Sequence, residues 1–240
     1  MKKSSITLLT TALFASAPAF ADGLSGTLDL NSTSGIFSAR GSLNYSLEVS
    51  PNLFVGASVS PIYTPSLPTD QFGLQTRVAA KYVALITKNF DYSVNAYVGT
   101  GVNLQVLPVP VTVAADLNAG VDGYNQIASG IKVYGGIDGK LIFAFAGGGL
   151  GYDLAGFGGF FFEPIANLEA RVQGAVGLGG AFSGGNAVRW EAVSSLYYAF
   201  APQFKLGANI GYGSNGFRIG LGVLFTEKPG SLGIAGNYLP

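Results

Sequence analysis

The alternation of side-chain character along the chain is the feature that most constrains its fold. From Ala39 to Val49 the odd positions are apolar or small. The even positions between them are Arg40, Ser42, Asn44, Ser46 and Glu48. Successive residues of an extended strand point to opposite faces, so a period of two predicts a β-strand with one apolar and one charged face. The same pattern recurs from Leu74 to Ile86 and from Leu168 to Val176, which predicts an all-β chain.

The first 21 residues have the organisation of a secretory signal peptide. Lys2 and Lys3 precede an apolar stretch from Ile6 to Ala17, and Ala19-Phe20-Ala21 has the small residues of a cleavage site. The apolar stretch is shorter than the roughly 20 residues that a membrane-spanning helix needs. We therefore predict a signal peptide at residues 1–21, followed by a single domain at residues 22–226.

The composition is unusual for a water-soluble protein. Charged residues make up 11% of the chain, whereas soluble domains carry about 25%. After the signal peptide, no apolar run reaches the length of a spanning helix. Because only helices and closed barrels satisfy every backbone group in lipid, the chain is predicted to form a single antiparallel transmembrane β-barrel. The alternating segments number twelve, with ten or fourteen strands as alternatives, and a soluble secreted β-sandwich is the competing fold.

The stretch between residues 127 and 162 admits two descriptions. The first places strands at 127–136 and 139–148, near Asp138-Gly139, a dipeptide that is typical of hairpin turns. The second places a turn at Glu163-Pro164 and an additional strand from Ala155 to Phe162. The strand count depends on which description is correct.

The charged face is expected to line the inside of the barrel, because Arg or Lys at the bilayer midplane costs roughly 2–4 kcal/mol. Nine of the predicted lumen residues are basic and four are acidic, so the lumen is expected to be mixed in sign and mildly basic. Asp138 and Asp153 are assigned to turns or loops instead. The predicted lumen-lining residues are Arg40, Asn44, Glu48, Arg77, Lys81, Asp116, Lys132, Lys140, Glu169, Arg171, Arg189, Glu191, Lys205 and Arg218.

Aromatic residues near strand ends are expected to form a girdle at the membrane interface, where their rings favour the headgroup level. The predicted girdle consists of Phe54, Phe90, Tyr92, Phe200, Phe204 and Phe225.

With these features the chain resembles the bacterial outer-membrane β-barrels, which include the porins. The segment from Arg218 to Phe225 is similar to the terminal-strand signal that the barrel-assembly machinery reads, with Arg218, Gly220, Val223 and Phe225 at its signal positions. Residues 227–240 follow this segment, either as a tail or as the closing strand. The resemblance implies that the protein is located in the cell outer membrane. It also implies that outer-membrane lipid and the barrel-assembly machinery are its partners.

The composition also excludes several classes of function. The chain has no histidine and no cysteine, which removes Ser-His and Cys-His nucleophiles, histidine metal sites and disulfides. Glu169 and Glu191 form the one carboxylate pair considered for catalysis, but Arg171 and Arg189 beside them favour a salt-bridge cluster. We expect no enzyme activity, no cofactor and no metal. The near balance of charge also argues against a nucleic-acid partner.

Two functions fit these features. The first is a small passive channel for solutes, with a mixed-charge, mildly basic lumen. The second is a structural or surface-interaction envelope barrel with a closed lumen and no transport activity. The sequence assigns neither a solute nor an oligomeric state.

Overall fold

A computed structural model describes residues 23–33, 36–65, 71–88, 92–107, 111–145, 149–201 and 203–226. Within these residues the chain forms twelve β-strands, which confirms the predicted number. The strands are β1 (Gly23–Thr33), β2 (Ile36–Ser50), β3 (Leu53–Thr64), β4 (Gln71–Lys88), β5 (Tyr92–Leu107), β6 (Thr112–Ala128), β7 (Ile131–Ala144), β8 (Gly149–Ile165), β9 (Leu168–Ala181), β10 (Gly184–Ala201), β11 (Phe204–Gly213) and β12 (Gly216–Thr226).

The strands form one closed antiparallel barrel. Each strand pairs with its neighbours in sequence, and β1 pairs with β12 from Gly23↔Thr226 to Ser32↔Phe217. Closure leaves no sheet edge, so the backbone groups of every strand have partners on both sides. Among the described residues, no helix is long and apolar enough to cross a membrane. The predicted signal peptide and residues 227–240 lie outside the described residues.

Short turns join strands at the barrel end that holds the start of β1. Asn52 and Asn167 occupy the left-handed backbone region with φ of 67° in the turns that follow β2 and β8. Gly130 takes the same conformation, with φ of 71°, between β6 and β7. Asparagine and glycine tolerate positive φ better than other residues, which is why the chain reverses at these positions.

The predicted strands at 127–136 and 139–148 are wrong in position. β6 continues to Ala128, and β7 runs without a break through Asp138, which pairs with Gly120 on β6 and Ala155 on β8. Asp138-Gly139 is therefore in the middle of a strand, because alternation over the whole segment outweighs the local turn preference of a dipeptide. The second description is closer, although the turn is at Ala166-Asn167 rather than Glu163-Pro164.

The two faces of the wall differ as the alternation predicts. In β3, for example, positions 55 to 60 alternate between exposed and buried. Large apolar side chains such as Leu28, Val98 and Leu221 are about half exposed on the outside, at 53%, 56% and 59%. No charged residue is among the outward side chains that the structure describes within the barrel wall.

Trp190 offers a direct test of which face contacts lipid. It is the only tryptophan in the chain, lies on the outer face of β10 with 47% exposure, and packs against Tyr212 with 5.8 Å between ring centroids. We expect bromine-labelled acyl chains to quench Trp190 fluorescence strongly, and water-soluble acrylamide to quench it weakly. The matched control is Trp190→Phe with Ser195→Trp, which moves the indole to the inner face of the same strand. Equal quenching of both proteins by brominated lipid would contradict the assignment of the faces.

Candidate functional site

The barrel interior holds most of the charged side chains that the structure describes. All fourteen predicted lumen residues lie on the inward side of the strand alternation, and none of them is exposed. Apart from Glu163, at the exposed end of β8, the inward charged side chains of the described strands are nine basic and eight acidic. The basic ones are Arg40, Arg77, Lys81, Lys132, Lys140, Arg171, Arg189, Lys205 and Arg218, and the acidic ones are Asp29, Glu48, Asp116, Asp122, Asp138, Asp153, Glu169 and Glu191.

The most deeply buried ion pair joins Arg77 on β4 to Asp116 on β6. Arg77 Nη1 donates to Asp116 Oδ2, and Arg77 Nη2 donates to Asp116 Oδ1 at 2.9 Å. Asn103 Nδ2 also donates to Asp116 Oδ2, at 3.2 Å. The side chains are only 7% and 1% exposed. A bidentate guanidinium–carboxylate pair of this kind is among the strongest side-chain contacts, and it links two strands that are not neighbours.

Tyr97 organises a second group beside this pair. Its hydroxyl donates to Asp138 Oδ1 at 2.8 Å, and the Lys81 ammonium lies 3.6 Å from the centroid of its ring. On the same strand as Tyr97, Asn95 Nδ2 donates to Asp122 Oδ1 at 3.0 Å. These contacts connect β4 to β7 through polar side chains that lie on the inner wall.

A third group involves the strands from β7 to β10. Arg189 on β10 forms an ion pair with Asp153 on β8, and both side chains are at most 10% exposed. Lys140 on β7 is directly opposite Asp153 in the strand register. Asp116 and Asp138 also act electrostatically on Lys140, so this group is mixed in sign.

A fourth group lies on the strands from β9 to β12. Glu169 on β9 accepts hydrogen bonds from Arg171 on its own strand and from Lys205 on β11. Arg218 Nη2 on β12 lies 3.1 Å from Glu191 Oε1 on β10. The cations of this group are 14–19% exposed, compared with 7% or less for Arg77 and Arg189. This side of the interior is thus the more open one.

The remaining predicted lumen residues make weaker polar contacts. Arg40 Nη2 donates to Gln75 Oε1 at 3.3 Å, and Asn44 Nδ2 donates to Ser25 Oγ at 3.4 Å. Glu48 Oε1 accepts a hydrogen bond of 3.0 Å from the backbone N–H of Asn52. Glu48 therefore caps a turn at the barrel end.

Lys132 belongs to a row of alternating aromatic and basic side chains. Its ammonium lies 5.5 Å from the ring centroid of Tyr124 and 5.6 Å from that of Phe161. The guanidinium of Arg171 is 5.6 Å from Phe161 and 6.0 Å from Tyr197. Cations over aromatic faces are stabilised by the ring quadrupole, so this row extends the polar interior from β6 to β10.

The predicted aromatic girdle is only partly outward. Tyr92, Phe200, Phe204 and Phe225 are on the outer face with exposures between 36% and 63%. Phe90 lies outside the described residues. The assignment of Phe54 to the girdle is wrong, because Phe54 pairs with Glu48 and Lys81 and so shares their inward face. Its position near a strand end did not indicate which face it occupies.

Sequence reasoning missed several interior residues. Asp138 and Asp153, assigned to turns or loops, are inside β7 and β8, and Asp29 and Asp122 also face inward. The alternation itself could have identified them, because each has the parity of the other inward residues on its strand. With these four acids included, the interior is mixed in sign, as predicted, but closer to neutral than the predicted mildly basic lumen.

The terminal-strand segment has a defined place in the fold. Arg218, Gly220, Val223 and Phe225 lie on β12, the strand that closes the barrel against β1. Arg218 and Gly220 face inward, whereas Val223 and Phe225 face outward. Recognition of this segment by assembly machinery stays a prediction.

The described residues contain no cluster of three or more His, Cys, Asp or Glu side chains that could hold a metal ion. Glu169 and Glu191, the one carboxylate pair considered for catalysis, are both engaged by basic side chains.

Comparison with known proteins identifies the fold. No protein-family model and no curated protein sequence matches this chain. Among solved structures, a KdgM porin in complex with disordered oligogalacturonate is similar with a TM-score of 0.57 and 14% identity, over 86% of this chain and 99% of that chain. The NanC porin gives 0.54 and 12%, over 85% and 99%. The β domain of the Bordetella autotransporter BrkA gives 0.51 and 13%, over 86% and 99%. The chain thus has the fold of bacterial outer-membrane β-barrels, a fold that includes the porins.

Proposed function

We propose that this protein is a narrow passive channel for small solutes in the bacterial outer membrane. The observation that carries the proposal is the separation of charge, with seventeen charged side chains inside a closed barrel and none among the outward side chains described. An uncharged exterior suits lipid, and a charged interior suits water. The similarity of the fold to two porins supports the same function.

The basic residues without a direct ion pair favour a hydrated lumen. Among the described residues, Arg40, Lys132 and Lys140 have no acidic group within 4.0 Å. Asp29 acts electrostatically on Arg40, and Asp116, Asp138 and Asp153 act on Lys140, without a direct ion pair. A buried charge without a direct ion pair is costly in a dry interior, so water or mobile ions would stabilise these cations. A water-filled path along the inner wall supplies both.

The lumen is proposed to be mixed in sign with weak ion selectivity. Nine basic and eight acidic residues face inward, and five of the basic residues are in ion pairs. Paired charges contribute little net field, so the expected anion preference is slight. Oligogalacturonate, present in the KdgM porin complex, is a polyanion. In this chain, five interior cations are already paired with carboxylates, which disfavours a similar polyanionic solute.

Reconstitution in planar bilayers tests the proposal. We expect the refolded mature chain to give stepwise openings with a small, ohmic conductance. Heat-modifiable migration on gels confirms in the same sample that the barrel is folded. A silent bilayer that contains correctly folded protein would overturn the channel.

A closed envelope barrel is the second candidate function. The observation in its favour is that Asp116 and Glu169 are only 1% and 3% exposed, which is low for side chains of an open bore. In this case the interior ion pairs serve as a polar core and the protein contributes to the envelope without transport. Folded but silent protein is the result that this candidate predicts.

Arg40 offers a sharp test of selectivity because its removal breaks no ion pair. Arg40→Glu changes the interior charge by two at β2. We expect the reversal potential in a salt gradient to move towards cation preference, while unit conductance changes little. Glu163→Gln, at the exposed end of β8, is the matched control and should leave the reversal potential unchanged. An unchanged potential in Arg40→Glu would place Arg40 outside the ion path.

A further inference from the structure

Two Arg–Asp pairs among the described interior residues cross a strand at a glycine. Arg77 on β4 reaches Asp116 on β6, and the strand between them presents Gly101. Arg189 on β10 reaches Asp153 on β8, and the strand between them presents Gly179. Next-nearest strands are roughly 10 Å apart, twice the spacing of neighbouring strands. Each guanidinium therefore has to pass over the inner surface of the intervening strand.

The space above each glycine is filled by the arginine. A Cβ atom added to Gly101 would lie 2.5 Å from Arg77 Nη2 and 2.7 Å from Arg77 Cζ. A Cβ atom added to Gly179 would lie 2.6 Å from Arg189 Nη2 and 2.9 Å from Asp153 Oδ1. Real Cβ atoms do not approach other atoms so closely. Any side chain at these two positions would force the guanidinium away from the wall.

We propose that Gly101 and Gly179 are positioning residues of the channel. Because they carry no side chain, each arginine lies flat against the wall and reaches its aspartate, instead of projecting into the bore. The two glycines thereby keep both guanidinium groups out of the bore and keep two positive charges neutralised. This inference rests on the proposed channel function and names the residues that control its bore.

Gly101→Ala is the most informative variant, because the three atoms nearest to the added Cβ all belong to the flexible end of Arg77. We expect the displaced guanidinium to enter the bore and lower the unit conductance about twofold, and to shift the reversal potential towards anion preference. Gly174→Ala is the matched control, because a Cβ on this outward glycine meets nothing within 4 Å. It should behave as the unchanged protein does.

A double-variant cycle separates positioning from a general loss of structure. Arg77→Gln removes the guanidinium, so Gly101→Ala should have no further effect on conductance, selectivity or the urea midpoint of unfolding in this background. If Gly101→Ala by itself changes none of these properties, the inference is wrong. It is also wrong if Gly101→Ala changes them by the same amount in the Arg77→Gln background.

The urea midpoints also separate this inference from the proposed function. They report the contact between the glycine and the arginine whether or not the barrel conducts. If the protein without substitutions does not conduct, but Gly101→Ala shifts the urea midpoint only when Arg77 is present, the channel is wrong and the positioning of Arg77 by Gly101 stands. If the protein conducts, but Gly101→Ala changes neither the conductance nor the urea midpoint in a way that depends on Arg77, the positioning is wrong and the channel stands.

Discussion

Asp116→Ala should lower the free energy of unfolding of the barrel by about 3–5 kcal/mol, because removing one partner of a buried ion pair leaves the other charge uncompensated. Asp116 is 1% exposed and accepts hydrogen bonds from Arg77 and Asn103. Once the carboxylate is lost, the Arg77 guanidinium remains 7% exposed with no acidic partner. Urea titration in detergent micelles or thin bilayers, followed by fluorescence of Trp190, measures the difference.

Two controls identify the buried pair as the cause. The double variant Arg77→Met and Asp116→Leu removes both charges and should recover most of the lost stability, since apolar replacement of a buried pair is often neutral. Glu191→Ala breaks the more exposed pair with Arg218, in which the side chains are 22% and 19% exposed. This change should cost about 0–1 kcal/mol. Equal losses for Asp116→Ala and Glu191→Ala would show that burial does not govern these contacts.

The alternation of the sequence predicts most of the interior, and its failures have physical reasons. A period of two assigns residues such as Arg77, Asp116 and Lys205 to one face without any knowledge of their partners. The turn predicted at Asp138 is wrong because the alternation over the whole segment outweighs the local preference of a turn-forming dipeptide. The girdle prediction fails at Phe54 because nearness to a strand end does not determine the direction of the side chain.

The partners within the interior could not be predicted from alternation alone. Arg77 and Asp116 are 39 residues apart in sequence and meet only because the register of β4, β5 and β6 aligns them across Gly101. Register depends on turn lengths and bulges, and β4 has shifts near both ends of its pairing with β5. A one-residue slip would move each charge to the opposite face, so the pairing requires the three-dimensional structure.

The outer surface provides the second large effect. Leu28→Arg should destabilise the barrel by about 2–4 kcal/mol, the cost of Arg at the bilayer midplane in such barrels. Leu28 is at the centre of β1, is 53% exposed on the outer face, and is opposite Leu221 on β12 and Gly41 on β2. An arginine at this depth has to extend along the wall or draw water into the hydrocarbon.

The dependence on depth distinguishes lipid from a soluble environment. Ile165→Arg, at the end of β8 where the side chain is 64% exposed, should cost only about 0–1 kcal/mol, because headgroups and water are within reach. Leu28→Met keeps the volume and polarity of the central position and should be nearly neutral. In a water-soluble barrel, Leu28→Arg and Ile165→Arg would cost equally little, since both side chains would already contact water. A difference of the expected size therefore requires hydrocarbon around the middle of the strands.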